Sequence, residues 1–127
     1  MSVLTSQKLV LEENADGCFF QDANIYGNPV VLYYLLGGTA FNLTGYTAQM
    51  MVRKDINDLN PLITYVPTLG GVAGTVAFYF TAAQVNTLIG LLPQLKGIYD
   101  VLLTSGTGGK TRFIPASQLE IIRAVSR

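Results

Sequence analysis

Glycine, proline and asparagine recur at short intervals along this 127-residue chain and cut it into pieces of strand length. Gly17 to Ile25 holds Cys18, Phe19, Phe20 and Ile25, and the following Tyr26-Gly27-Asn28-Pro29 predicts a turn. Val30 to Leu36 is β-branched, aromatic and aliphatic, and Gly37-Gly38 ends it. Tyr46 to Arg53 then alternates. Ala48, Met50 and Val52 fall on one face, while Thr47, Gln49, Met51 and Arg53 fall on the other, which is the pattern of a half-buried strand.

The Asp55 to Pro61 segment has loop chemistry, and Leu62 to Val66 is a short apolar run closed by Pro67. Within Val72 to Phe80, Val76, Phe78 and Phe80 share a face. Thr81-Ala82-Ala83-Gln84 has the form of a capping box and predicts a short helix that ends before Pro93. Gly97 to Ser105 resumes strand character with Tyr99, Val101 and Leu103 on one face, and Arg112 to Val125 supplies the last strand or pair of strands. Six to eight short strands and one helical crossover imply a β-sandwich or barrel, and an all-β, antiparallel sandwich spanning 17–127 is the expected architecture. Its core is expected to include Ala48, Met50, Val52, Val76, Phe78, Phe80, Tyr99, Val101 and Leu103. Residues 1–16 are expected to form an N-terminal arm or an edge strand.

Charged residues make up 13% of the chain and apolar residues 50%, and eight basic side chains balance eight acidic ones. Average soluble domains carry about 25% charge, so a lone monomer of this composition would expose much apolar surface, and zero net charge favours association. The other faces of the strands point the same way: Met51, Tyr79, Leu102 and Ile122 occupy positions where a soluble monomer normally carries charge. The apolar stretch Val85 to Leu95 adds Leu88, Ile89, Leu91 and Leu92. These eight are the candidate interface residues, with other protein subunits and further copies of this chain as the expected partners.

Chemistry is sparse. Without any histidine, the commonest general base and metal ligand is missing, and one cysteine supplies no thiolate cluster, so no metal, cofactor or catalytic residue is expected. Cys18 reads as a buried small hydrophobe. The eight carboxylates, Glu12, Glu13, Asp16, Asp22, Asp55, Asp58, Asp100 and Glu120, include no convincing catalytic pair; Asp55 and Asp58 sit in turn chemistry and Asp100 alternates outward. Gly109-Lys110-Thr111 ends like a phosphate-binding loop, but position 104 is Thr where that loop needs Gly, and strand-like residues come next where it needs a helix. A glycine-rich hairpin turn is the reading. Asn42-Leu43-Thr44 matches a glycosylation sequon and reads as a strand-entry turn. Seven tyrosines suit interface packing better than a sugar platform, in the absence of Trp and of clustered carboxylates or amides. No Lys/Arg patch suggests nucleic acid, no apolar run approaches membrane-spanning length, and the N-terminus lacks a secretory h-region, so synthesis in a cytoplasm is expected.

The run Phe41 to Arg53 (Phe-Asn-Leu-Thr-Gly-Tyr-Thr-Ala-Gln-Met-Met-Val-Arg) resembles a strand found in phage and prophage proteins of the baseplate-upper-protein N-terminal-domain type. Later elements are similar in order: Phe80 to Gln84, the Gly97 to Ser105 strand with its Tyr-Asp-Val core, a Gly-rich hairpin, and the end at Val125-Ser126-Arg127. The resemblance implies an immunoglobulin-like sandwich that attaches appendages in a virion. On that basis the expected function is a non-enzymatic structural protein of a bacteriophage particle, in the tail, baseplate or fibre attachment. Capsid decoration is the alternative, and a small carbohydrate- or host-binding module is a further one.

Overall fold

A computed structural model describes residues 3–55, 57, 61, 63–90 and 94–123. Among these residues the strands are β1 (Leu9–Glu12), β2 (Cys18–Phe20), β3 (Ile25–Gly27), β4 (Val30–Tyr33), β5 (Leu35–Leu36), β6 (Thr39–Ala40), β7 (Thr47–Arg53), β8 (Ile63–Tyr65), β9 (Thr68–Leu69), β10 (Thr75–Phe78), β11 (Gln94–Thr104) and β12 (Lys110–Ile122), and an α-helix, α1 (Ala82–Ile89), lies between β10 and β11. A seven-stranded sheet in the order β3-β2-β1-β12-β11-β7-β8 packs against a three-stranded sheet, β4-β10-β9, and β5-β6 forms a separate hairpin. This is an all-β sandwich with one short helical crossover, as the strand pattern predicts.

Period-two alternation explains the core. Ala48, Met50 and Val52 on β7, Tyr99, Val101 and Leu103 on β11, and Val76, Phe78 and Phe80 in and after β10 are all buried, joined by Leu9, Leu11, Phe20, Phe113, Leu119 and Ile121. Phe20 and Phe78 meet across the sandwich with ring centroids 5.1 Å apart, and Tyr65 stacks on Phe80 at 4.8 Å. The capping box at Thr81 is present: the Gln84 amide donates to Thr81 Oγ1 (3.2 Å), and the Thr81 amide donates to Gln84 Oε1 (2.9 Å). Asp16 Oδ1 accepts from the Ala82 amide at 2.7 Å, adding a second acceptor to the first turn.

Within residues 3–16, the strand expected at an edge is an interior one. β1 lies inside the large sheet, antiparallel to β2 and parallel to β12, with Leu9 opposite Leu119 and Leu11 opposite Ile121. Leu9 and Leu11 point into the core, so the apolar alternation of this segment is satisfied within the chain. The segment after β1 is equally tied down: Asn14 and Asn86 exchange two hydrogen bonds (2.9 and 2.8 Å), and the Gly17 amide donates to Phe80 O. Glu13, 7% exposed, pairs with Arg123 at 2.9 Å.

Val30 to Leu36 is not one strand. After Tyr33 the backbone turns away: the Tyr34 amide donates to Gly74 O (2.7 Å), and Tyr34 O accepts from Phe41 (2.9 Å), leaving Leu35 and Leu36 to start the β5-β6 hairpin. That crossing depends on Gly74. Its φ is +67°, and a Cβ there would lie 2.8 Å from Phe41 O, 2.9 Å from Tyr34 O and 3.0 Å from Phe41 N, all backbone atoms. Gly74→Ala is therefore expected to lower stability by about 1–3 kcal/mol, read as a reduced urea midpoint at unchanged slope.

Candidate interaction surfaces

The six candidate interface residues that fall among the described ones do not gather on one surface. Met51 and Leu102 are half-buried on the outer face of the large sheet, and Ile122 is 43% exposed at the end of β12. Tyr79 is exposed just after β10, its amide donating to the Tyr65 hydroxyl (2.7 Å). The helix requires a correction. Ile89 is buried, with Val85 one turn earlier, and Leu88 packs half-buried against the same core, so this part of the apolar stretch covers its own sandwich. The i, i+4 spacing of Val85 and Ile89 carries that signal. Leu91 and Leu92 lie outside the described residues.

The more continuous apolar surface is elsewhere. Charged residues are absent from Ala23 to Val52 and from Leu59 to Leu95, the segments that build the whole small sheet. In β4, Val30 and Leu32 point inward, so Val31 and the exposed Tyr33 point outward, opposite Ala77 and Thr75 of β10. Tyr79 extends the same row, and Thr68 pairs beside Ala77. Val66, just before β9, is exposed too. This outer face therefore presents Val66, Tyr33 and Tyr79 without a single charge.

At one end the neutral surface continues into a glycine-rich pole. Leu35 and Leu36 of the β5-β6 hairpin are exposed, as is Val72 in the 3-10 turn Gly71–Ala73. Leu43 N–H donates to Gly71 O (2.9 Å), fixing that turn. Beneath the hairpin, Tyr34 stacks on Phe41 at 4.4 Å, and Phe41 meets Tyr46 edge-on at 5.8 Å. The Tyr33-Tyr34 pair is thus split, one ring outward and one in an aromatic base. Sequence pattern misses the hairpin residues because Val30 to Leu36 reads as one strand, whereas the uncharged runs are visible in the sequence.

The outer face of the large sheet is chemically different. Lys8, Lys96, Asp100, Arg112 and Glu120 point out from it, with Lys8 to Glu120 at 3.0 Å and Arg112 to Asp100 at 3.7 Å. Open clefts of about 290, 390 and 240 Å³ lie side by side along this face and share Ile98.

The segment that ends like a phosphate loop is a hairpin turn. Ser105 N–H donates to Gly109 O (2.8 Å), and the chain then enters β12 rather than a helix. Asn42 Oδ1 accepts from the Thr44 amide (2.9 Å), the turn expected before β7, and Asp55 Oδ1 does the same for Asn57 (3.0 Å). Burial pushes the Cys18 thiol up to about 12, the opposite of a reactive thiolate. Tyr99 is buried in a polar knot: its hydroxyl donates to Gln7 O, and the Gln7 amide donates to Ser117 Oγ (3.0 Å). Desolvation raises the Tyr99 phenol far above its ordinary value, chiefly through burial, with the neighbouring Cys18 adding to it. Among the described residues, no three His, Cys, Asp or Glu side chains converge as metal ligands would. Set against protein-family models and against curated proteins, the chain matches none.

Proposed function

We propose that this chain is a non-enzymatic structural subunit of a bacteriophage particle, packing against other virion proteins in the tail, baseplate or fibre attachment, or on the capsid. The observation that carries the packing part is the uncharged outer face of the small sheet and its pole, where Tyr33, Leu35, Leu36, Val66, Val72 and Tyr79 are each more than half exposed. Scattered exposed apolar residues are ordinary, but a continuous uncharged patch rich in Tyr and Leu has the chemistry of an interface core. The virion part rests on the resemblance of Phe41 to Arg53 and of the elements after it.

The test is incorporation. Tyr33→Lys combined with Leu36→Lys changes two exposed positions and leaves the core alone, so circular dichroism should be unchanged. Particles purified from cells producing the variant should carry at least about tenfold less of the chain than wild type by mass spectrometry, since two desolvated charges cost about that or more. Immunogold labelling of wild-type particles then gives the place, tail or capsid. Equal incorporation of the variant, or wild-type protein missing from purified particles, would overturn the reading.

A further inference from the structure

We infer that the cleft over the outer face of the large sheet is a docking site for an acidic segment of a partner protein. Lys8, Lys54 and Lys96 line it together with Gln118, Ile98 and one carboxylate, Glu120. Three ammonium groups against one carboxylate leave the cleft basic in a chain whose formal charge is zero. Glu120 sits opposite Lys96 in the β11–β12 register and holds Lys8 at 3.0 Å. Lys54 and Lys96 are exposed and form no ion pair among the described residues.

The backbone is shaped to bring these lysines together. β7 pairs with β11 only as far as Arg53 opposite Ile98, and the next β11 residue outward is Gly97. A Cβ on Gly97 would lie 2.7 Å from Arg53 O and 3.9 Å from Lys54 Cα, so the bare glycine lets the end of β7 close on β11 and places Lys54 at the rim beside Lys96. From there the depression continues across Ile98 and Gln118 into the adjoining cleft of about 390 Å³.

Charge complementarity selects the occupant. Farther along the same face the charges are mixed: Asp22 lines the adjoining cleft with Lys8, and Asp100 stands between Arg53 and Arg112 in the next, paired with Arg112 at 3.7 Å. A peptide can set carboxylates at the lysine end and side chains of either charge farther along, a match that a uniform chain of phosphates makes less well. The site is on the face opposite the uncharged patch and does not depend on it.

Hexaglutamate titrated into the ¹⁵N-labelled full chain is the probe. At low salt, saturable shifts are expected at Lys96, Gly97, Ile98 and Gln118. Lys54→Gln with Lys96→Gln should weaken binding by about tenfold or more, and Lys54→Gln alone should weaken it in the same direction. Tyr33→Lys/Leu36→Lys should bind as wild type does, which separates this site from the neutral patch. No saturable shift, unchanged affinity in the double variant, or tighter binding of an oligothymidylate at the same residues would each overturn the assignment.

Discussion

Stability is expected to fall once the pH passes about 9, the ordinary value of a cysteine thiol. The sign depends on which state holds its proton. In the folded chain burial holds the Cys18 thiol to about 12, whereas the unfolded chain releases that proton near its ordinary value of 9.0. Between those values the native state binds more protons than the unfolded state, so this contribution is intact below pH 9 and is lost as pH rises toward 12. Each pH unit in that window shifts the folding equilibrium about tenfold toward the unfolded chain. Tyr99 acts in the same direction from its ordinary value of 10.0 upward, because burial raises it too, and above pH 10 the two slopes add. Urea midpoints measured from pH 7 to 11 should be flat at first and then drop, with a steeper second limb. Cys18→Ala should move the onset up by about one unit while costing some packing, since Tyr99 and Tyr65, both raised by burial from an ordinary value of 10.0, then remain to titrate. A midpoint constant to pH 11 would mean that neither group is as dry as the fold makes it.

Phe78→Ala should cost about 3–5 kcal/mol, the range for removing a fully buried aromatic ring. Phe78 ends β10, pairs with Val30 through the backbone, and is fully buried. Its ring touches Phe20 of the large sheet and lies 6.5 Å from Tyr65, so it is one of the side chains that join the two sheets. Truncation would leave a cavity whose walls are strands fixed by their ladders, which cannot collapse to fill it. Thr75→Ala, on the opposite face of the same strand, should change stability by only about 0.5 kcal/mol. Chemical denaturation of the two variants, compared at equal slope, checks the contrast. A loss under about 1 kcal/mol for Phe78→Ala would mean that the sheets are not packed through this ring.

The part of this architecture that obeys a local rule is legible in the residues. Ala48, Met50 and Val52, like Tyr99, Val101 and Leu103, declare their face by alternation alone, and Thr81 to Gln84 declares a helix start by its capping chemistry. The parts that escape depend on chain segments far apart in sequence. Leu9 and Leu11 look no different from an edge strand until Leu119 and Ile121 are placed beside them, because a parallel pairing across that distance leaves no turn to announce it. Tyr34 looks like strand until Gly74 and Phe41 take its backbone hydrogen bonds. For the interaction surfaces, parity along the strand is enough to find Tyr79. Ile89 is misplaced when hydrophobicity is weighed before helical spacing, and Leu35, Leu36 and Val72 are missed because their exposure comes from a hairpin and a tight turn.

Because β1 finds its second neighbour only in β12, the chain cannot close its larger sheet while it is still being made. Strand β1 leaves the ribosome long before its partners Leu119 to Ile122, and at about 5–20 residues per second the gap between them lasts several seconds. During that time the edge of β1 that faces β12 stays open, and so does that of β11 once it is made, a state prone to pairing with the wrong strand. A ribosome that stops short of Leu119 leaves a product without the central seam of its sheet, so synthesis itself acts as a proofreading step: only a chain read through β12 can close the larger sheet.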